Sequence, residues 1–195
     1  MVFTRREVVD FILDLIGYTT NQPLHRFRLI EPAFGNGGFL LPIVERLLTA
    51  YRAQVQNHST IVADLSAAVR AVEVHGDSIE RTRAELLGTL QKHGITTEEA
   101  QKLLTAWIIE GDFLLVDIPQ TFTHAVGNPP YVRQELIPDA LMAQYRARYR
   151  TIYDRADLYV PFIERCLTHL QPGGALSFIC ADRWMKIQPL CTESA

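Results

Sequence analysis

Asn128, Pro129, Pro130 and Tyr131 are consecutive residues whose types can do chemistry. Because the two prolines have no N–H and fix φ, the chain cannot continue here as a central strand or turn into a helix. We therefore predict a stiff turn with two free acceptors, the Asn128 side-chain oxygen and the Pro129 carbonyl, beside the Tyr131 ring. Two neutral acceptors next to an aromatic ring suit an exocyclic amino group on a flat heterocycle. An ordinary turn is the alternative, since N-P and P-P dipeptides are common in loops.

The elements around this turn predict that it lies at the ligand-binding edge of an α/β sheet. His124–Gly127 reads as a strand that ends at the turn, and open α/β sheets bind ligands at the carboxyl ends of their strands. Upstream, residues 26–30 read as another strand, Glu31–Gly38 as a glycine turn, and Phe39–Tyr51 as an amphipathic helix. This order lets a ligand approach the backbone at a helix N-terminus, which indicates a nucleotide-like ligand.

A carboxylate suited to ribose hydroxyls is predicted on the next strand. Val69–His75 reads as that strand and carries Glu73. Residues 61–64 form a rival strand with a rival acid, Asp64. We favour Glu73 because a long helix, Ser78–Lys92, follows it directly; a surface carboxylate with no ligand is the alternative.

A third strand, Ile108–Leu115, has an acid and an aromatic residue at its turn. Asp112 could accept a hydrogen bond from an adenine amino group, and Phe113 could cover a ring face. A core position for Phe113 is the alternative. Thr96 or Thr97 is predicted to cap the preceding helix.

At the start of the chain, Thr4 and Glu7 have the spacing of a capping box. The apolar residues that follow recur at helical spacing and predict a helix that Gly17 ends. A hydroxyl at a helix start can also bind an anionic ligand group, so Thr4 is a candidate site residue.

Basic and aromatic residues alternate after the turn. The basic members are Arg133, Arg146, Arg148, Arg150 and Arg155, and the aromatic members are Tyr145, Tyr149 and Tyr153. Such a mixture can hold phosphates and stack bases, and a solvated helix face explains it equally well.

The last elements are a helix, Asp157–Leu170, a turn at residues 172–174 and a fifth strand, Ala175–Cys180, which we expect to be buried on both faces. An apolar strand near a chain end leaves a bare sheet edge unless something covers it. Residues 187–195 read as an irregular tail, so we expect residues 1–186 to form an incomplete domain whose sheet continues elsewhere.

The composition excludes several classes of protein. With 195 residues, 48% hydrophobic content and a net charge of −3, the chain is about one globular domain and not a generally basic nucleic-acid binder. The three cysteines form no C-x-x-C pair and the six histidines lack ligand spacing, so neither a disulfide framework nor a metal site is expected. No signal peptide or membrane-spanning run is present, which favours the cytoplasm.

With these segments placed, the chain resembles the S-adenosylmethionine-dependent DNA methyltransferases that methylate amino groups, above all the adenine-N6 enzymes of Eco57I-like restriction–modification systems. The resemblance rests on EPAFGNGGFL, on NPPY and on the continuous segments GDFLLVDIPQTFTHAVGNPPYVRQE and DLYVPFIERCLTHLQPGGALSFICADRWM, and it covers residues 3 to about 186. The cofactor motif precedes NPPY, as in the γ arrangement. The implied fold is the Rossmann-like class I methyltransferase fold, α/β with a mostly parallel sheet, here without its C-terminal hairpin strands.

The resemblance also implies roles for particular residues. Asn128, Pro129, Pro130 and Tyr131 would be catalytic, with both hydrogens of adenine N6 accepted by Asn128 and the Pro129 carbonyl and the flipped base stacked on Tyr131. The implied cofactor-binding set is Thr4, Glu31, Ala33, Gly35, Gly37, Glu73, Asp112, Phe113 and Asn128. The implied DNA contacts are Arg133, Arg146, Arg148 and Arg150. The partner would be double-stranded DNA, with a target-recognition domain or partner subunit supplied from outside this chain.

This chain departs from the family pattern at four positions. Glu31 replaces the usual Asp, Arg5 stands where Pro often follows Thr, and His124 stands where Asp often precedes NPPY. Phe34 replaces a small residue and is expected to crowd the cofactor loop. Two alternatives stay open: methylation of a protein glutamine at N5, since release-factor methyltransferases also carry NPPY, and a truncated fragment that binds cofactor without activity.

Overall fold

Five parallel strands form one sheet within residues 4–56, 59–152 and 157–180, the part of the chain that the computed structural model describes. The strands are β1 (Leu29–Glu31), β2 (Val69–Glu73), β3 (Ile108–Glu110), β4 (Phe122–Gly127) and β5 (Leu170–Phe178). Their order across the sheet is β3-β2-β1-β4-β5, and every neighbouring pair is parallel. Strands β2 and β3 follow on one side of β1, whereas β4 and β5 lie on its other side. The strand order therefore reverses between β1 and β4, and at such a point open α/β sheets bind ligands in a crevice at the carboxyl ends of the strands. The predicted α/β class with a parallel sheet is confirmed.

Helices cover both faces of the sheet. The helices are α1 (Arg6–Leu15), α2 (Leu40–Gln54), α3 (Ile61–Leu65), α4 (Gly76–Lys92), α5 (Thr97–Trp107), α6 (Asp139–Arg148) and α7 (Tyr159–His169). Helices α1–α5 share one core with Leu29 and Val69 of the sheet, whereas α6 and α7 share a second core with Ile30 and Val72. Because side chains alternate along a strand, consecutive residues of β1 supply both cores.

The strands predicted at residues 26–30, 61–64 and 108–115 change in the structure, and the last of them is a strand only at Ile108–Glu110, because residues 111–115 form a turn. Residues 24–26 form a 3₁₀ turn, so β1 begins only at Leu29 and extends to Glu31. The rival strand at residues 61–64 is helix α3, and its acid, Asp64, accepts hydrogen bonds from Tyr51 Oη at 2.7 Å and Thr60 Oγ1 at 2.8 Å. Asp64 is thus a structural partner of α2 and not the predicted rival for a ribose.

The fifth strand differs from its prediction in both extent and burial. It starts at Leu170, and the predicted turn at residues 172–174 is a bulge inside it, since the pairing with β4 shifts between Phe122 and His124. Its residues are half-buried or exposed, so the expectation of burial on both faces was wrong. The physical reason is its position at the edge of the described sheet, where one flank has no neighbouring strand. Residues 181–195, including the predicted tail, lie outside the described residues.

At the other end of the sheet, the cap of α5 is confirmed. Thr96 Oγ1 accepts a hydrogen bond from the backbone N–H of Glu99, and the Glu99 carboxylate accepts one from Thr96 in return. This capping box fixes the start of the helix that leads into β3.

None of the helices in the described ranges is long and apolar enough to cross a membrane. Within the same ranges, no three His, Cys, Asp or Glu side chains are placed to hold a metal ion.

Candidate active site

The Asn128 turn and the glycine turn meet at the carboxyl edge of the sheet. The β1 and β4 strands pair in parallel, with Leu29 opposite His124. A Cβ added to Gly127 would lie 3.5 Å from Pro32 Cδ and 3.7 Å from Glu31 Cγ. The two motifs are distant in sequence, but a side chain at Gly127, just before Asn128, would touch the first residues of the glycine turn.

The Asn128 side chain has one satisfied and one unsatisfied end. Its Nδ2 donates to Thr4 Oγ1 at 3.4 Å. Its Oδ1 is buried and has no hydrogen-bond partner among the described residues. Because buried polar atoms in folded proteins are nearly always paired, this oxygen is an acceptor available to the N–H of a ligand.

Thr4 has a different role from the predicted helix cap. Helix α1 begins at Arg6, its N-cap residue is Arg5, and no side chain caps it. Glu7 is therefore one position too early for a capping box, and that prediction was wrong. The Thr4 hydroxyl instead lies against Asn128, which brings the start of α1 to the β4 turn.

Two glycines of the turn after β1 have a left-handed backbone, with φ of +54° at Gly35 and +76° at Gly37. A Cβ at Gly37 would approach Thr82 Cγ2 of α4 to 2.9 Å, so only glycine fits there without a shift. Ala33 is half-buried in the same turn. The Phe34 ring, expected to crowd this turn, is buried in the core shared by α1–α5.

Glu73, at the end of β2, holds the glycine turn. Its Oε2 accepts from the Gly35 N–H at 2.7 Å, and its Oε1 accepts from the N–H groups of Val74 at 2.9 Å and His75 at 3.0 Å. This carboxylate therefore links the glycine turn after β1 to the end of β2.

Glu31, at the end of β1, differs from Glu73 because one of its carboxyl oxygens has no hydrogen-bond partner among the described residues. It is 1% exposed, and its Oε2 has no partner in the described part of the chain. Burial, and next the charge of Glu73, raise the pKa of Glu31 well above its ordinary value. A cation at this site would reverse that shift.

Asp112 and Phe113 lie in the turn after β3. The Asp112 carboxylate accepts from the Leu114 N–H at 2.8 Å through Oδ1 and from the Tyr145 hydroxyl through Oδ2. The Phe113 ring is 2% exposed and packs 5.0 Å from the Phe162 ring, so little of its face is left for a ligand. The structure therefore supports the alternative, in which Phe113 is a core residue.

In the stretch of alternating basic and aromatic residues after the Asn128 turn, exposure to solvent depends on residue type. Arg133, Arg146, Arg148 and Arg150 are all exposed. Tyr145 and Tyr149 are buried, and both hydroxyls are bonded within the protein, so these two rings fit neither of the two open interpretations, base stacking or a solvated helix face. Tyr153 and Arg155 lie outside the described residues. Tyr131, by contrast, is 46% exposed, and its hydroxyl donates to the Ile179 carbonyl at 2.9 Å.

Sequence reasoning missed the role of His124. Its ring stacks on Phe27 at 4.6 Å, and its Nε2 is 3.2 Å from the Ile16 carbonyl at the end of α1. Burial lowers the pKa of His124, which favours the neutral ring. The residue therefore joins α1, and with it Thr4, to the strand that ends in Asn128.

This strand order, with the glycine turn after β1 and the Asn128 turn after β4, is that of the class I methyltransferase fold. The M protein of the type I restriction enzyme EcoKI superimposes with a TM-score of 0.62 at 18% identity, covering 94% of this chain and 34% of that one. A Listeria monocytogenes protein described as a class I S-adenosylmethionine-dependent methyltransferase superimposes with a TM-score of 0.56 at 14% identity, covering 93% and 46%.

The chain belongs to the Eco57I restriction-modification methylase family, whose sequence profile matches residues 49–190. It is 58% identical over 185 residues to the Type II methyltransferase M.PaeR7I of Pseudomonas aeruginosa. That match covers 95% of this chain and 32% of the relative, so the chain spans about a third of the length of that protein.

Proposed function

We propose that this chain is the cofactor-binding and catalytic part of a cytoplasmic, S-adenosylmethionine-dependent DNA methyltransferase that acts on adenine N6. The observation that carries the proposal is the buried Asn128 Oδ1, which has no partner within the described residues; it belongs to the residue after Gly127, where an added Cβ would lie 3.5 Å from Pro32 Cδ. A buried acceptor without a donor costs about 1–3 kcal/mol, so a site that keeps one is built for an incoming N–H. Membership of a restriction-modification family supports DNA as the substrate.

The residues around the cleft fit the cofactor. When bound, S-adenosylmethionine supplies an electrophilic methyl group on a sulfonium. Glu31, whose Oε2 has no partner within the described residues, would suit the positive charge of such a molecule, and Glu73, bonded to the Gly35 N–H, would accept from its ribose hydroxyls. Thr4 and the turn containing Ala33, Gly35 and Gly37 would bind its methionine end. Asp112 would accept from its adenine amino group, with Phe113 supporting the turn from the core.

The catalytic part is assigned to the Asn128 turn. The lone pair of adenine N6 is delocalised into the ring, which makes this nitrogen a poor nucleophile. If Asn128 Oδ1 and the Pro129 carbonyl accept its two hydrogens, the nitrogen is driven towards tetrahedral geometry and its lone pair becomes available. Pro130 keeps the turn rigid, so the acceptors need no reorganisation during the reaction.

The substrate adenine must leave the duplex to reach this turn. A base inside double-stranded DNA is inaccessible to a buried acceptor, so it is flipped out, and the exposed Tyr131 ring offers a stacking surface. The exposed residues Arg133, Arg146, Arg148 and Arg150 would contact phosphates. Because the chain spans about a third of M.PaeR7I, we assign recognition of the DNA sequence to a further domain or partner subunit.

Methyl transfer from tritium-labelled cofactor tests the proposal. The acceptors are duplex DNA, the same DNA with the adenine opposite an abasic position, and a protein with an exposed glutamine. We expect only weak labelling of DNA by this chain alone, with faster transfer to the unpaired adenine because flipping is then easier. Label in the protein alone would favour the glutamine alternative, and binding of cofactor without transfer to any acceptor would favour the inactive fragment.

A further inference from the structure

Four side chains from α6, α7 and the residue after α6 form hydrogen bonds with the turn after β3. They are Tyr145 and Arg148 of α6, Tyr149 directly after α6, and Arg165 of α7. Three of these side chains donate to backbone carbonyls of residues 113–116. Tyr145 is different, because its hydroxyl donates to the side-chain carboxylate of Asp112.

We propose that Tyr145 is a positioning residue for the cofactor: its hydroxyl fixes the Asp112 carboxylate in the orientation that accepts the 6-amino group of the cofactor adenine. This inference rests on the proposed function, which assigns the adenine side of the cofactor to Asp112. It adds a residue from the segment that follows the catalytic turn.

The hydrogen bonds around Asp112 show how such positioning works. Oδ1 is held by the Leu114 N–H at 2.8 Å, and Oδ2 is held by Tyr145, so the plane of the carboxylate is fixed at both oxygens. Each carboxylate oxygen can accept more than one hydrogen bond, and acceptor capacity for a ligand amino group therefore remains. Without the Tyr145 hydroxyl, the local bond to Leu114 is the one hydrogen bond among the described residues that would still orient the group.

The state of Tyr145 suits this role. The residue is 4% exposed, and burial together with its bond to Asp112 raises the pKa of the hydroxyl, which therefore stays a donor at neutral pH. Helix α6 also supplies Met142 to the core that contains Phe113. The hydroxyl is consequently presented from a packed element and not from a free loop.

Tyr149 provides a matched control. It follows Tyr145 by one helical turn, it is also buried, and its hydroxyl donates to the Leu114 carbonyl at 2.7 Å. Tyr145→Phe and Tyr149→Phe each remove one buried hydroxyl that is bonded to the same turn. Only the first change releases the Asp112 side chain.

The test compares two ligands by calorimetric titration. One is S-adenosylhomocysteine, and the other is its analogue with a purine that lacks the 6-amino group. Hydrogen bonds to a charged acceptor predict that the wild type binds the amino ligand about tenfold more tightly or better. We expect Tyr145→Phe to reduce this ratio to about threefold or less, and Tyr149→Phe to keep it. A purely structural role would weaken both ligands equally and leave the ratio unchanged.

A double-variant comparison completes the test. Asp112→Ala should remove the discrimination, and adding Tyr145→Phe to it should change the ratio no further. A wild-type ratio retained in Tyr145→Phe would overturn the inference while leaving the proposed function intact. A wild type that binds both ligands equally would overturn the role of Asp112 and with it the inference. A wild type that binds neither would overturn the proposed cofactor itself.

Discussion

The polar side chains at the carboxyl ends of β1, β2 and β4 differ in whether the protein itself supplies their hydrogen-bond partners. At the end of β2, the Glu73 carboxylate accepts hydrogen bonds from the backbone of Gly35, Val74 and His75. At the ends of β1 and β4, Glu31 Oε2 and Asn128 Oδ1 are buried and have no partner in the described segments. The protein satisfies the β2 side by itself and leaves acceptors on the β1–β4 side for donors that a ligand must bring.

Replacing Asn128 tests the unsatisfied side and should have the largest effect. Asn128→Ala removes one of two proposed acceptors, so we expect the rate of methyl transfer to fall by about 1000-fold. Binding of S-adenosylhomocysteine should change by less than about twofold, because the cofactor keeps its other partners. Initial rates and calorimetric titration measure the two quantities. Equal losses in both would mean that Asn128 serves mainly to bind the cofactor.

Replacing Glu73 tests the satisfied side. Glu73→Gln exchanges one carboxylate oxygen for an amide group that cannot accept, so at least one backbone N–H loses its partner. We expect the free energy of unfolding to fall by about 2 kcal/mol in urea titrations, with a weaker affinity for the cofactor. Unchanged stability would show that the bonds to Gly35 and the β2 turn contribute little.

A substitution at Gly37 tests how closely the glycine turn must approach helix α4. Gly37→Ala places a Cβ 2.9 Å from Thr82 Cγ2 at a φ of +76°, so we expect a loss of about 2–3 kcal/mol of stability. Gly35→Ala is the control, since its φ is also positive but nothing lies within 4 Å of the added Cβ. It should cost only about 1 kcal/mol from backbone strain.

A rescue variant separates the contact from the strain. Thr82→Ser removes the Cγ2 atom, and in the Gly37→Ala background it should restore part of the lost stability. Thermal unfolding of the four proteins measures this coupling. If the stability changes of the two substitutions simply add, the cost of Gly37→Ala comes entirely from backbone strain and not from the contact with Thr82.

Glu31 gives the smallest predicted change, and its sign depends on pH. Its pKa is raised in the folded protein, so its contribution to stability is complete below the ordinary value of 4.5 and is lost as the pH rises through the folded pKa. Glu31→Gln stays neutral, and we expect it to be more stable than the wild type at pH 8 but not at pH 4. Urea titrations at the two pH values measure the difference. A variant that is less stable at pH 8 would indicate a buried partner for the ionised form.

Much of the site could be predicted because its signals are local. Pro129 and Pro130 restrict the backbone wherever they occur, and a glycine turn between a strand and a helix reports its own geometry. Parallel strands then bring their carboxyl ends to one edge, which is why Glu31, Glu73 and Asn128 converge in the structure as expected.

The errors come from information that is not local. A short apolar run such as residues 61–65 has no periodicity that separates a strand from a helix; in the structure it is helix α3, whose Asp64 accepts a hydrogen bond from Tyr51 of α2. Tyr145 reads as part of a basic surface, yet its partner Asp112 is 33 residues away. The bulge in β5 depends on the register with β4, which no turn motif specifies.

The identity of the methylated nucleoside tests the central claim most directly. DNA from a host without adenine methylation would be incubated with the chain and labelled cofactor, digested, and resolved by mass spectrometry. Two lone-pair acceptors on a rigid diproline turn predict label in N6-methyldeoxyadenosine, and loss of that product in Asn128→Ala. Label at carbon 5 of cytosine, or N6-methyldeoxyadenosine formed equally well by Asn128→Ala, would contradict the account.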